Sequence, residues 1–214
     1  MFLKLPDKEN LLIYLLLILF AGVLAIYFFS FPYRDWILEI SLLISNVLVF
    51  GYAVIRDKDL KIVYWILIAI AIIFLVHWIG LINGNIFGDF RFGPLFKIKV
   101  AGIPLVLMIN WAGLIFAAIT LVIRLGGYAF MAVFSSVLMV FFIFIFEPLA
   151  LKSGISLRPD SLISLNLYIT WFILSYILAL LYKVFNLFLT DSLTRSHFII
   201  QLLFFSVLNF YTFN

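Results

Sequence analysis

Ionisable side chains are rare in the long apolar runs of this sequence, and the few that occur there could move protons. His77 ends one apolar run, Glu147 ends another, and Asp89 and Arg91 lie in a glycine-rich stretch between two runs. A charge at membrane depth is costly, so each of these residues is a functional hypothesis by default. An apolar surrounding disfavours the ionised form of a carboxylic acid, which can then keep its proton near neutral pH. Glu147 and Asp89 are therefore candidate general acids, and His77 is a candidate general base or a partner in an acid pair.

Each of these residues also has an ordinary structural interpretation. His77 and Trp78 are typical of an interfacial pair at the lipid headgroups. Asp89 and Arg91 fit a solvated pair in a loop, and Glu147, directly before a proline, fits a hydrated helix end. Asparagines inside apolar runs more often link helices by hydrogen bonds than bind ligands; they are Asn46, Asn110 and Asn166.

Residues 77–111 mix small, aromatic and charged side chains more densely than any other part of the chain, reading HWIGLINGNIFGDFRFGPLFKIKVAGIPLVLMINW. Glycines recur there every fourth residue, at Gly80, Gly84 and Gly88. On a helix they would form a smooth stripe, which is more typical of close helix packing than of substrate contact. Phenylalanines flank Asp89 and have a case for lining a pocket: Phe87, Phe90 and Phe92.

The composition places the chain in a membrane. Of its 214 residues, 67% are hydrophobic and 11% are charged, whereas a soluble domain is about half apolar and about a quarter charged. The net charge of +4 is too small to indicate nucleic acid and fits basic residues at lipid headgroups. Cysteine is absent, which excludes disulfides and thiol chemistry. We expect no metal site, and the N-terminal residues do not read as a signal peptide.

Apolar runs long enough to cross a bilayer predict an all-α, polytopic bundle of six to seven helices that forms a single domain. The predicted spans are 11–31, 37–55, 62–78, 103–123, 128–146, 162–182 and 198–213. Pro148 is expected to stop the fifth span, because a residue before proline disfavours the helical region. The seventh run is short. Residues 80–102 are expected to form a long connection of partly helical and partly re-entrant character.

The distribution of lysine and arginine predicts the orientation. With seven spans, the N-terminal side carries eight basic residues, which are Lys4, Lys8, Arg56, Lys58, Lys61, Arg124, Lys183 and Arg195. The other side carries six, which are Arg34, Arg91, Lys97, Lys99, Lys152 and Arg158. This bias favours a cytoplasmic N-terminus and a multi-pass protein of the cytoplasmic (inner) membrane.

Two motifs resemble the signature of the carotenoid-biosynthesis membrane proteins, over about residues 35–180. The first is G-x3-G-x2-F-G-x-F-x-F-G from Gly80 to Gly93, followed by G-I-P-L at 102–105 and N-W at 110–111. The second is E-P-L-A at 147–150 and Y-I-T-W-F at 168–172. His77 stands where the family commonly has a glutamate, and Phe90 and Phe92 stand where it commonly has tyrosines.

The resemblance implies a carotenoid 1,2-hydratase, a lyase that adds water to the terminal C1–C2 double bond of an acyclic end group without a cofactor. Protonation at C2 leaves a tertiary cation at C1, which water captures. The implied catalytic residues are Glu147, Asp89 and His77. The residues implied to bind substrate are Gly84, Phe87, Gly88, Phe90, Phe92, Asn110, Trp111 and Trp171. Aromatic faces would stabilise the cation, Asn110 would hold the water, and the glycines would let the end group approach the backbone.

Two further interpretations remain open. The replacements at His77, Phe90 and Phe92 favour a divergent, non-catalytic member that binds a carotenoid or another polyprenyl lipid. A small transporter subunit is the third interpretation, although the predicted spans carry little charge and no inverted repeat is evident. In the first two interpretations the partner is a membrane-dissolved carotenoid or polyprenyl molecule within the lipid bilayer. The exact substrate and the oligomeric state stay open.

Overall fold

The computed structural model describes residues 7–29, 33–84, 86–158 and 164–213. Within these residues it contains seven helices, each long and apolar enough to cross a membrane. They are α1 (Lys8–Phe28), α2 (Arg34–Asp57), α3 (Leu60–Asn83), α4 (Leu105–Val122), α5 (Tyr128–Lys152), α6 (Leu165–Val184) and α7 (Ser192–Phe213). The predicted all-α polytopic bundle is therefore confirmed.

Helix α4 forms the centre of the bundle. It packs against α2, α3, α5, α6 and α7, and 83% of its spanning residues are buried. Small side chains at Ala112, Gly113, Ala117 and Ala118 allow neighbouring backbones to approach closely. Helix α1 is the opposite case, because 17% of its spanning residues are buried and most of its apolar surface faces outward.

Two predicted helix ends are wrong. Helix α5 does not stop at residue 146 but continues through Glu147 and Pro148 to Lys152. Proline lacks one backbone donor, and in membrane helices such a gap is tolerated where neighbouring groups compensate. Helix α7 begins at Ser192, six residues before the predicted start at 198. Asp191 accepts a hydrogen bond from the backbone N–H of Thr194 (2.6 Å), so this polar first turn is capped and belongs to the helix.

Of the predicted connection, residues 80–83 are helical, as the last residues of α3, and residues 86–102 form no helix. The chain between α3 and α4 contains three two-residue strands, β1 (Arg91–Phe92), β2 (Lys99–Val100) and β3 (Ile103–Pro104). Strands β2 and β3 form an antiparallel hairpin. Its turn residues, Ala101 and Gly102, have positive φ values of 49° and 82°, as a tight two-residue turn requires. Strand β1 instead pairs antiparallel with β4 (Ser156–Leu157), which lies in the loop between α5 and α6.

The predicted glycine stripe is also wrong, because the helix ends within it. Gly80 lies inside α3, Gly84 is its C-cap with φ 66°, and Gly88 lies in the connection with φ 76°. The left-handed backbone ends the helix at positions that glycine adopts without steric cost. Gly93 has a different role, since any side chain there would overlap the carbonyl oxygen of Gly154 where the two loops pair.

The connection and the α5–α6 loop share one end of the bundle, which we call the connection end (residues 84–104 and 153–158). Glu39 on α2 is buried there, and its carboxylate accepts hydrogen bonds from the backbone N–H groups of Lys97 (3.0 Å) and Ile98 (3.2 Å). The hydroxyl of Thr170 on α6 donates to the carbonyl of Ile86 (2.8 Å). These bonds fix the connection across the ends of the helices.

Candidate active site

A small cavity lies beneath the connection, between α3, α4, α5 and α6. Its volume is about 30 Å³, and a buried water needs about 10–15 Å³ on this measure. Seven of the predicted site residues line this cavity: His77, Phe87, Phe90, Phe92, Trp111, Glu147 and Trp171. The rest of its lining is Leu107, Ile143, Phe146, Ile155, Ser156, Arg158 and Leu167. The fold thus brings together candidates that are up to 94 positions apart along the chain, from 77 to 171.

His77 is buried and held by its own helix. Its Nδ1 lies 2.8 Å from the carbonyl oxygen of Ile73, one turn earlier. A carbonyl only accepts hydrogen bonds, so Nδ1 carries the proton and Nε2 presents a lone pair. Nε2 makes no hydrogen bond to any described residue. The imidazole is therefore arranged as a base.

Glu147 is buried and paired with Arg158. Its Oε1 accepts from Arg158 Nε (3.0 Å) and from Ser156 Oγ (3.3 Å), and Arg158 Nη2 lies 2.9 Å away. Arg158 also donates from Nη1 to the carbonyl of Phe87 (2.8 Å). All of these contacts fall on Oε1, while Oε2 makes no hydrogen bond to any described residue. Pairing of β1 with β4 positions Arg158 next to Glu147, because Arg158 directly follows β4.

Aromatic rings surround the imidazole of His77. The ring centroids of Phe87, Phe92 and Trp171 lie 4.8, 5.8 and 5.5 Å from that of His77. Trp111 follows at 4.9 Å from Trp171. The site therefore presents several π faces, which attract a cation.

A wider cleft lies next to the cavity at the connection end. Its volume is about 670 Å³, and its lining includes Asn83, Gly84, Asp89 and Arg91. Phe90 and Arg158 line both the cleft and the cavity, and the arginine lies 5.7 Å from the centroid of that ring. These two side chains separate the two spaces.

Four predicted site residues lie outside the cavity, which are Asp89, Gly84, Gly88 and Asn110. Asp89 is exposed in the cleft beside Gly84, so it lacks the apolar surrounding that a neutral acid needs. Gly88 packs against Ser164 and the guanidinium of Arg158. Neither Gly84 nor Gly88 lines the cavity. Arg158, which does line it, contacts Gly88 and also lines the cleft that contains Gly84.

Asn110 also lies outside the cavity, although it adjoins Trp111. It faces α2 and α7, where its Nδ2 donates to Gln201 Oε1 (3.0 Å) and its Oδ1 accepts from Asn46 Nδ2 (2.7 Å). Both of its polar atoms are therefore used in contacts between helices. The predicted contact with a reacting water is not present in this arrangement.

Sequence reasoning missed three residues that define the site. Arg158 and Ser156 lie in the loop between two predicted spans, and nothing local in the sequence indicates that this loop folds back onto Glu147. Glu39 does carry a signal in the sequence, since it is a carboxylate inside the second predicted span. The structure uses it to anchor the connection over the cavity.

The fold and its seven spanning helices define the class of the chain, a multi-pass α-helical membrane protein. No family model, no curated protein and no solved structure matches it.

Proposed function

We propose that this chain is a cofactor-independent membrane hydratase that adds water to the terminal C1–C2 double bond of an acyclic carotenoid end group. One observation carries the proposal: Glu147, His77 and a group of aromatic rings line one cavity large enough for a water molecule. These are the groups that a hydration through a carbocation uses. The membrane-spanning fold suits a substrate that stays in the bilayer.

Glu147 is the proposed acid. Its Oε1 accepts from Arg158 and Ser156, which leaves Oε2 to carry the proton. Transfer of that proton to C2 converts the π bond into a C–H bond and leaves a tertiary cation at C1. Arg158, whose Nη2 lies 2.9 Å from Oε1, stabilises the carboxylate that remains after the transfer.

The aromatic rings stabilise the cation. The centroids of Phe87 and Phe90 are 5.4 Å apart, and those of Phe90 and Phe92 are 5.3 Å apart, in edge-to-face pairs. Such rings present π electrons to a cation without forming a bond to it. A single tyrosine hydroxyl here would be a competing nucleophile, and phenylalanine removes that side reaction.

His77 is the proposed base. As water adds to C1, Nε2 takes one of its protons and a tertiary alcohol forms. The Nδ1–H bond to Ile73 keeps Nε2 free for this step. The proton then returns from His77 to Glu147, so the cycle consumes one alkene and one water and yields one alcohol. The balance requires no oxidant, metal or cofactor.

The cavity must enlarge to admit the end group. At about 30 Å³ it has room for water but not for a branched five-carbon unit. Phe90 and Arg158 line both the cavity and the neighbouring cleft, and we propose that displacement of Phe90 joins the two, because hydrogen bonds hold Arg158 in place. Rotation of this one ring would open the path without breaking the bonds of Arg158 to Glu147.

A second candidate is a non-catalytic protein that binds a carotenoid or another polyprenyl lipid. The Glu147–Arg158 ion pair favours it, because a buried and hydrogen-bonded ion pair has a structural use without any catalysis. In that case the aromatic rings bind a polyene end, and the ion pair is structural.

Expression in a host that accumulates lycopene or γ-carotene separates the two functions. We expect a product heavier by one water when the pigments are analysed by chromatography and mass spectrometry. Glu147→Gln should reduce product per membrane-inserted protein by about 10²-fold or more, as loss of a general acid does. His77→Phe should have an effect of similar size.

Two carboxylate variants at the same end of the bundle serve as controls. Asp89→Asn removes an exposed carboxylate and should leave the product yield unchanged. Glu39→Gln removes a buried carboxylate outside the cavity and tests for nonspecific effects of losing a buried charge. Pigment that copurifies with the protein but stays unmodified on both substrates would reject the hydratase and favour the binding protein.

A further inference from the structure

A chain of buried polar side chains crosses the bundle away from the cavity. It links Asn46 on α2, Asn110 on α4, and Gln201 and His197 on α7, all of them almost fully buried. Asn46 Nδ2 donates to Asn110 Oδ1 (2.7 Å), Gln201 Nε2 donates to the same oxygen (2.8 Å), and Gln201 Nε2 lies 3.0 Å from His197 Nε2. The proposed hydration uses none of these four side chains, although Trp111, next to Asn110 in the sequence, lines the cavity.

The direction of every bond in this chain follows from one backbone carbonyl. Asn46 Nδ2 also lies 2.8 Å from the carbonyl of Leu42, which only accepts, so that atom is the amide nitrogen. Its partner on Asn110 is therefore oxygen, and the other amide atom of Asn110 donates to Gln201 Oε1. Gln201 then presents its nitrogen to His197 Nε2, which accepts. His197 is thus neutral, with its proton on Nδ1.

That proton has no acceptor among the described residues. His197 Nδ1 is buried without a hydrogen-bond partner, and so is the hydroxyl oxygen of Thr194, one turn earlier on α7. Buried polar atoms without partners are rare in folded proteins, and leaving a buried donor unpaired is costly. On a helix, side chains three residues apart are neighbours, with Cβ atoms about 5–6 Å apart, so the two unpartnered atoms belong to adjacent side chains on one face of α7.

A third polar group stands on the same face, one further turn towards the helix start. The side chain of Asp191 is buried, and its Oδ2 makes no hydrogen bond but lies 3.5 Å from Arg56 Nη1. Asp191 lies at the end of the bundle opposite the connection, where Arg56 lies in the last turn of α2. Polar side chains therefore lie along one face at the start of α7, from Asp191 to His197, which is about 8 Å along the helix from its first residue.

We propose that a water molecule binds between Thr194 and His197 and, with Asp191, connects the opposite end of the bundle to the buried amides of Asn110 and Gln201. Water fits because the site requires both an acceptor, for Nδ1–H, and a donor, for hydroxyl or carboxylate oxygen. A cation would be repelled by Nδ1–H, and an anion would lie beside Asp191. The connected groups form a path along which the His197 proton exchanges with bulk water.

Hydrogen exchange at His197 tests this path in the full-length protein in lipid vesicles. The chain has two histidines, so His77→Phe leaves His197 as the single isotope-labelled histidine in a magnetic resonance spectrum. We expect a neutral ring protonated at Nδ1. We also expect its N–H to exchange in D₂O much faster than the buried indole N–H of Trp65, which donates to the carbonyl of Leu178 (3.2 Å).

Matched threonine variants test the bridging water. Thr194→Val removes the hydroxyl at nearly constant shape and should slow His197 exchange by about tenfold or more, which equals about 1.4 kcal/mol in the barrier. Thr120→Val is the control, because Thr120 is equally buried but bonds to Phe116 on α4. A proton on Nε2, exchange as slow as that of Trp65, or no effect of Thr194→Val would each overturn the proposal. Slowing by Thr194→Val but not by Thr120→Val would support it.

Discussion

Removal of Arg158 should destabilise the connection end more than any other single charge deletion there. Arg158→Met retains most of the length of the side chain but loses the ion pair with Glu147 and the bond to the carbonyl of Phe87. Loss of one partner of a buried ion pair costs about 3–5 kcal/mol, because the other charge is left unpaired. Glu147→Gln should cost about 1–2 kcal/mol, since the amide oxygen still accepts from the arginine.

The two changes should not be additive. In the double variant no buried charge is left unpaired, so we expect it to cost about 2 kcal/mol less than the sum of the single variants. Arg91→Met is the matched control, because Arg91 is exposed in the same region, and it should change stability by about 0.5 kcal/mol or less.

Stability can be measured as the free energy of unfolding in mixed micelles with increasing denaturing detergent. Intrinsic tryptophan fluorescence follows the unfolding and includes a signal from the site, since two of the five tryptophans, Trp111 and Trp171, line the cavity. Additive costs, within about 0.5 kcal/mol, would refute the energetic coupling between Glu147 and Arg158. A cost for Arg91→Met as large as that for Arg158→Met would show that the effect is not specific to the pair.

Three further predictions concern the scaffold, and each is tested by thermal unfolding in detergent. Gly113→Ala should cost about 1–3 kcal/mol of stability, because a Cβ there would overlap the amide oxygen of Asn46. Gly22→Ala is the control, since Gly22 has open space around it, and it should be neutral or stabilising by up to about 1 kcal/mol. Equal effects of the two substitutions would contradict this packing argument. Glu39→Gln should cost about 1–3 kcal/mol, because an amide N–H₂ would face a backbone donor of the connection, and unchanged stability together with unchanged proteolysis of residues 93–104 would argue against the anchor. Asp191→Ala should cost about 0.5–2 kcal/mol through loss of the α7 cap, and a melting temperature equal to that of the unaltered chain would show that the cap contributes nothing.

The sequence predicted the helices well because their signal is local. Each spanning segment is a long apolar run, and a bilayer admits few alternatives to a helix for such a run. The errors fell at ends. Pro148 lies inside α5 although its local preference opposes a helix, and the polar residues before 198 joined α7 because Asp191 caps them.

The site was predicted in part, for a physical reason. Aromatic and ionisable residues in apolar surroundings stand out by type alone, and His77, Glu147, Trp111 and Trp171 meet at one cavity. Arg158 could not be found in this way, because its role depends on an antiparallel pairing between strands 64 residues apart, from Phe92 to Ser156. Strands of two residues are too short to produce a hydrophobic periodicity that can be recognised in the sequence.

The position of His77 within its own helix also bears on how the protein is made. Trp171 follows His77 by 94 residues, so at about 5–20 residues per second the imidazole enters the membrane about 5–20 s before its aromatic neighbour exists. Until α5 and α6 have followed α3 into the membrane, neither can shield a polar ring from lipid. The bond from Nδ1 to the carbonyl of Ile73 needs only α3. This histidine therefore carries its own hydrogen-bond partner into the bilayer, and the most polar side chain of α3's inner face can be inserted before the rest of the site has been synthesised.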